Sequence, residues 1–252
     1  MNKEEQMLCS HLEDLANACY QRDRAVISDF LTLNEQNLFL SFCVRNLPPV
    51  TYELIGGYES AERKAVYFQP IGVGREHPAP LVLLRVKPVN RKFAEDLSHR
   101  DYLGSLMNLG IDRCKLGDLI PSEEGCLIIC QEAVSGFICE QLTRVRHTTV
   151  LCEIQELSEF DFHPETKQIS GTVASLRLDA VIGLAFSSSR SKLTGYIEGE
   201  KVFVNGKCIT SNAYPLKEND LVSVRGLGKF RFLASNGQTK KGRLSVLLEL
   251  FI

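Results

Sequence analysis

Starting at Leu178, apolar side chains recur at Val181, Ile182 and Ala185, the i, i+3, i+4, i+7 spacing of a helix with one buried face. Ser187, Ser188 and Ser189 interrupt that pattern, and a hydroxyl there can accept from the free N–H groups of a following first turn. Leu193, Tyr196 and Ile197 then repeat the buried spacing, so a second helix is expected up to Gly199. Beyond it Lys201 to Val204 alternates as a strand, Asn205-Gly206 is a strong hairpin signal, and the polar run Lys217 to Asp220 leads into a further strand over Leu221 to Arg225.

Towards the N-terminus, Met7, Leu8, Leu12, Leu15, Ala16 and Cys19 mark one helix face. Residues 1 to about 45 are expected to be helical, with Thr32 to Asn34 capping a further helix that Pro48-Pro49 stops. Val50, Tyr52 and Leu54 alternate as a strand ended by Gly56-Gly57. The stretch GGYESAERKAVYFQP is expected to hold a short polar helix and another apolar run, with Arg63 and Lys64 as surface charges.

A Gly/Pro-rich join over Gly72 to Pro80 opens a second unit. There the pattern gives a strand over Leu81 to Val86, a helix over Phe93 to Leu109, a strand over Arg113 to Leu119 and a turn over Pro121 to Gly125. A strand over Cys126 to Cys130, a helix over Glu132 to Leu142 and a strand over Thr148 to Ile154 follow. The order βαββαβ is that of a ferredoxin-like sheet and of the common RNA-recognition module. Together these patterns predict an α+β chain: an N-terminal domain over 1–76, a ferredoxin-like domain over 77–156, a linker over 157–173 and a small C-terminal domain over 174–252.

That module stacks bases on aromatic side chains of its two central strands, but LVLLRV and CLIIC carry none. Any RNA contact there would fall to phosphate binding by Arg85, Lys87, Arg91, Lys92, Arg100 or Arg113, each of which reads more simply as a solvated rim. Charge points instead to the C-terminal third. From Gly171 onward twelve basic residues face six acidic ones, a net +6 against −8 for the remainder of a 252-residue chain whose overall charge is −2. A basic tail on an acidic body suits a polyanion partner.

The nine cysteines are scattered without a C-x-x-C pair or a His at zinc spacing, so they read as reduced, mostly buried thiols. MNKEEQMLCSHLED has neither the basic opening nor the apolar run of a signal peptide, and no stretch suits a membrane span; a cytosolic monomer is expected.

Arg190 and Lys192 fall on the opening turn of the second C-terminal helix, where free N–H groups and the positive end of the dipole favour a phosphate. With R-L-D in the first helix, S-R-S-K opening the second and V-N-G-K at the hairpin, about fifty residues resemble the small RNA-binding domain first described in the fourth small-subunit ribosomal protein. The candidate RNA contacts are Arg177, Ser189, Arg190 and Lys192 as a central cluster, Lys201, Asn205 and Lys207 at the hairpin, and Arg225, Lys229 and Arg231 as an extension.

Taken with GGYESAERK and HRDYLGSLMNLGIDRCKLGDLI, the segment LRLDAVI extends the likeness over nearly the whole chain, which resembles the YlmH family of bacterial proteins. That resemblance implies binding to ribosomal RNA of the large subunit and a role in ribosome-associated quality control. Family members act on subunits obstructed by peptidyl-tRNA and assist C-terminal alanine tailing, so transfer RNA and a cooperating factor are implied partners.

Fragments that imitate catalytic motifs are incomplete. His99-Arg100-Asp101 resembles a kinase catalytic loop, but Leu106 stands where the metal-binding Asn belongs. Pseudouridine synthases place a catalytic Asp in a G-R-L-D-x-x-[ST] context; here the Gly is absent, Ile182 replaces the polar neighbour, and too little chain follows for a catalytic domain. No glycine-rich cofactor loop occurs. A non-enzymatic binding protein without cofactor or metal is the first expectation, an RNA-modifying enzyme using Asp101 or Asp179 the second, and a scaffold with a basic tether the third.

Overall fold

The computed structural model describes residues 2–72, 78–157, 160, 162–239 and 242–252, so most of the Gly72 to Pro80 join and the basic pair Lys240-Lys241 lie outside the described residues. The chain forms two compact units, Met1–Phe162 and His163–Ile252.

In the first unit, α1 (Lys3–Arg22) starts at a capping box in which Asn2 and Glu5 exchange hydrogen bonds of 2.8 and 2.9 Å. It stops at Asp23, whose φ of 47° is left-handed. The helical expectation for 1–45 is corrected here, because Val26–Leu31 is a strand, β1. A second capping box, Thr32 with Glu35, opens α2 (Leu33–Leu38), which runs on into a π turn over Phe39–Cys43 and a 3-10 turn over Val44–Asn46. β2 (Val50–Ile55) and β3 (Lys64–Pro70) complete an antiparallel sheet in the order β1-β3-β2. No helix forms over 56–63, against expectation. The N–H groups of Glu62 and Arg63, which a helix would have used, are instead held by the carboxylate of Asp118.

The rest of this unit holds β4 (Leu81–Pro88), α3 (His99–Asn108), β5 (Leu116–Ser122), β6 (Gly125–Gln131), α4 (Glu132–Gln141), β7 (Arg144–Val145) and β8 (Thr148–Gln155). Their sheet runs β5-β6-β4-β8-β7 with antiparallel neighbours, the ferredoxin-like order plus a short edge strand. α3 starts later than Phe93 because the Ser98–Asp101 capping box sets its first turn. Arg113–Lys115 is a 3-10 turn, so β5 begins at Leu116 and runs through Pro121.

The two sheets pack face to face. α1 covers one side of the N-terminal sheet through Leu12 and Ala16 on Leu31, Val66 and Phe68. From the other side Phe30 and Ala65 meet Leu81, Leu83 and Ile129 of the ferredoxin-like sheet. Beyond that sheet Tyr102, Leu106 and Ile138 cover Leu84, Val86 and Ile128. The sheet face that an RNA-recognition module offers to bases is therefore occupied by the N-terminal sheet of the same unit, which accounts for its aliphatic strands. Gly117 permits the approach, since a Cβ there would lie 2.8 Å from the Phe30 ring.

The second unit comprises β9 (Thr166–Val173), α5 (Leu178–Ala185), α6 (Arg190–Glu198), β10 (Val202–Val204), β11 (Lys207–Cys208), β12 (Leu221–Val224), β13 (Gly228–Gln238) and β14 (Leu244–Phe251). Its single sheet runs β11-β10-β12-β13-β14-β9. The expected linker over 157–173 is corrected: β9 pairs with β14 from Thr166↔Phe251 to Val173↔Leu244, and Val173 joins the core. α5 and α6 cover one face, with Val181, Ile182, Leu193 and Ile197 on Val202, Val204, Val222, Val224, Phe230 and Phe232.

Candidate nucleic-acid interface

Arg177 stands at the N-cap of α5, and its Nε and Nη2 each lie 3.1 Å from a different oxygen of Asp179. Asp179 also accepts from the Ala180 N–H at 2.9 Å and is buried. The guanidinium of Arg177 thus neutralises a buried carboxylate first and faces outward second. Beyond the last turn of α5, Ser189 occupies the N-cap of α6 and Arg190 its first position. The Arg190 side chain lies outside the described residues, while Lys192 is exposed on the same opening turn.

Asn205 and Gly206, with φ of 48° and 78°, form the two-residue turn expected of Asn-Gly. The Asn205 amide is committed inside the protein: Nδ2 donates to Asp220 Oδ1 at 2.8 Å and Oδ1 accepts from the Leu221 N–H at 2.9 Å. Asp220 Oδ2 in turn accepts from the Lys217 N–H at 2.8 Å, so the hairpin is clamped to the 217–220 turn. Lys207 is exposed and pairs across the hairpin with Val204, a core residue, which turns it toward the helix side of the sheet.

Lys201 stays beside α6, its Nζ 5.4 Å from the centre of the Tyr196 ring. The remaining candidates separate from that side. The Arg225 guanidinium lies 4.7 Å from the Phe203 ring and Lys229 Nζ 4.7 Å from the Phe251 ring. Arg231 Nε is 3.9 Å from Glu249. Phe203 alternates with buried Val202 and Val204, so Arg225, and with it Lys229 and Arg231 by register, belong to the opposite face. The sequence-predicted site is thus two surfaces: Arg177, Ser189, Lys192, Lys201 and Lys207 on the helix side, and Arg225, Lys229 and Arg231 on the outer face.

In the first unit four of the six basic candidates, Arg85, Lys87, Arg91 and Arg113, are tied down, while Lys92 and Arg100 are exposed. Arg85 and Arg91 share Glu124 at 2.7 and 3.2 Å, and Lys87 pairs with Glu153 at 3.5 Å. Arg113 donates to the carbonyls of Leu116 and Gly117 at 2.6 and 2.9 Å; burial and then the nearby Arg63 push its pKa down to about 10. Arg63, expected as a surface charge, donates to Leu116 O and Phe30 O at 3.1 and 2.9 Å. Asp118 accepts from the Tyr58 hydroxyl and the Glu62 N–H at 2.7 Å each, and from the Arg63 N–H at 3.1 Å. GGYESAERK and the later GDLI therefore meet in one polar bracket between the sheets, a use that neither motif announces in sequence. Among the described residues no group of three or more His, Cys, Asp or Glu could hold a metal ion, and no helix is long and apolar enough to cross a membrane.

Residues 80–159 match the family model described as "Putative RNA-binding domain in YlmH", and residues 176–222 match the S4 domain model. The Ribosome-associated protein quality control protein P2 of Bacillus subtilis (strain 168) is 32% identical over 228 residues, 90% of this chain and 87% of that relative. The chain belongs to the YlmH family. Among solved structures, the Cell division protein ylmH from Streptococcus pneumoniae shares the fold at a TM-score of 0.50 and 18% identity, over 64% of this chain and 97% of that one. In this YlmH-family chain the S4 match ends within β12, so β9, β13 and β14 extend the sheet beyond it.

Proposed function

We propose that the chain is a non-enzymatic RNA-binding factor that docks on structured ribosomal RNA of the large subunit and serves the quality control of subunits obstructed by peptidyl-tRNA, assisting alanine tailing. The start of α6 carries this reading. Its first-turn N–H groups, its dipole and exposed Lys192 converge where a phosphate oxygen can be held, with Lys207 on the same side of the sheet. Contacts of this kind read the shape and backbone of folded RNA more than its sequence. The name of the Bacillus relative supports the ribosomal setting. The N-terminal and central domains then bring the chain to transfer RNA or to a cooperating factor.

The structure weakens the enzymatic alternative at the two residues it would use. Asp179 is buried and bound by Arg177, and Asp101 closes the capping box of α3 while facing Arg146 at 3.6 Å. Lys192→Glu with Lys207→Glu should release the chain from large subunits in co-sedimentation. It should also flatten the log–log salt dependence of RNA binding by about one unit for each phosphate no longer neutralised. Arg177 is left intact in this test because its loss would strand Asp179. Unchanged co-sedimentation overturns the site.

A further inference from the structure

The face of the C-terminal sheet turned away from α5 and α6 carries an ordered row of its own. Phe203 stands opposite Ser223 and Ser223 opposite Lys229. One step beyond the Phe230–Leu250 pair, Lys229 stands opposite Phe251. Cross-strand partners share a face, so the row reads Phe203, Ser223, Lys229, Phe251, with a small exposed residue between its two halves. Arg225 over Phe203 and Lys229 over Phe251, each at 4.7 Å, fall well within the ~6 Å reach of a cation–π pair. Arg231 adds a third cation in the next row, and Glu249, which also accepts from the Thr166 hydroxyl at 3.3 Å, lies 3.9 Å from it.

We propose that this face is a stacking platform for unpaired RNA bases, its two stacking positions being the Arg225 guanidinium on Phe203 and, once Lys229 turns from the ring to a phosphate, the Phe251 ring. The proposal rests on the RNA-binding function above and adds a class of RNA to it: splayed single-stranded nucleotides here, folded RNA at the start of α6. Three cations with half-buried rings beneath two of them fit a polyanion whose bases present flat π-faces, and a guanidinium over a ring can itself receive a base. The exposure of base faces decides between paired and unpaired RNA. Phe203 and Phe251 lie side by side on the sheet, three strand intervals or about 14 Å apart, so each takes a separate base. A base can lay its face on either position only after leaving its own stack, and a duplex exposes edges and phosphates instead. The ferredoxin-like sheet, where such a platform is usual, is covered in this chain and carries no aromatic residue on its two central strands. Lys229 and Phe251 lie outside the residues that match the S4 domain.

The test uses the full chain, a short oligouridine and an RNA hairpin of equal charge, with binding read by fluorescence anisotropy over a salt series. Phe203→Leu with Phe251→Leu keeps the apolar volume and removes the rings; thermal melting by circular dichroism checks that the fold is retained. Oligouridine affinity should fall about ten-fold or more with its salt slope unchanged, while hairpin affinity stays within about two-fold. Lys192→Glu should show the converse, a weaker hairpin complex with a flatter salt slope. Undiminished oligouridine binding by the double Leu variant, or equal loss of both RNAs, overturns the platform and leaves the α6 site standing. Failure of the parent chain to bind either RNA overturns both.

Discussion

Asp118 holds more of the first unit together than its single charge suggests. Its carboxylate takes the Tyr58 hydroxyl and two backbone N–H groups and faces two arginines, Arg63 and Arg113, whose burial lowers their pKa values. Burial, and then Asp118 itself, raise the Tyr58 pKa, which keeps the phenol a donor. Asp118→Ala should destabilise the unit by about 3 kcal/mol in urea unfolding, because it strands donors and cations together. Asp118→Asn, with one acceptor oxygen left, should recover less than half of that loss. An Ala variant as stable as the parent would mean that the bracket adds nothing to the stability of this fold. The thiols allow a second check at this scale. Burial pushes Cys126 and Cys130 up to about 12, whereas Cys208 is exposed on β11. Near neutral pH, alkylation followed by mass spectrometry should mark Cys208 first and reach Cys126 and Cys130 only in denaturant. Comparable labelling of Cys126 and Cys208 in the native chain would contradict that burial.

At the level of elements, legibility follows the strength of the local pattern. α5 and α6 are readable because Leu178, Val181, Ile182 and Ala185, then Leu193 and Ile197, are all buried as their spacing demands. β9 is not, since TKQISGTV is mostly polar and exposed along its length, and only its partner β14 gives it a reason to be extended. β1 is hidden in the same way: Phe30 and Leu31 serve two different cores, a relation fixed by sheet packing and not by period. The positions of the basic candidates are legible, but their grouping is not, because the register that sends Lys207 and Arg225 to opposite faces emerges only from strand pairing. Asn205 shows how a residue read as an RNA contact can also hold the fold together. It makes the turn, yet its amide serves Asp220 and Leu221. Asn205→Ala should cost about 2 kcal/mol through broken hydrogen bonds and a left-handed backbone, and combining it with Asp220→Asn should be less than additive by at least about 0.5 kcal/mol. Strict additivity in the double-mutant cycle would mean that the clamp carries no energy.

Across the whole molecule, charge and folding unit divide at nearly the same place. From His163 onward thirteen basic residues face seven acidic ones, a net +6, so the −8 lies in the first unit. Long-range attraction to a polyanion should therefore travel with the second unit alone. A fragment over 163–252 retains β9, its own apolar core and both basic faces, and should fold and bind RNA with the steep salt dependence of the full chain. A fragment over 174–252 keeps every residue of the S4 match but loses β9. It would leave β14 as a long unpaired edge carrying Leu244, Val246, Leu248 and Leu250, a template for association between copies. Size-exclusion chromatography should find the longer fragment as a single discrete species and the shorter one aggregated, with a lower melting temperature wherever it stays in solution. If the shorter fragment melts and elutes like the longer one, the six-stranded sheet is not a single folding unit, and the outer-face platform, which draws Phe251 from β14, loses the rigid support that stacking requires.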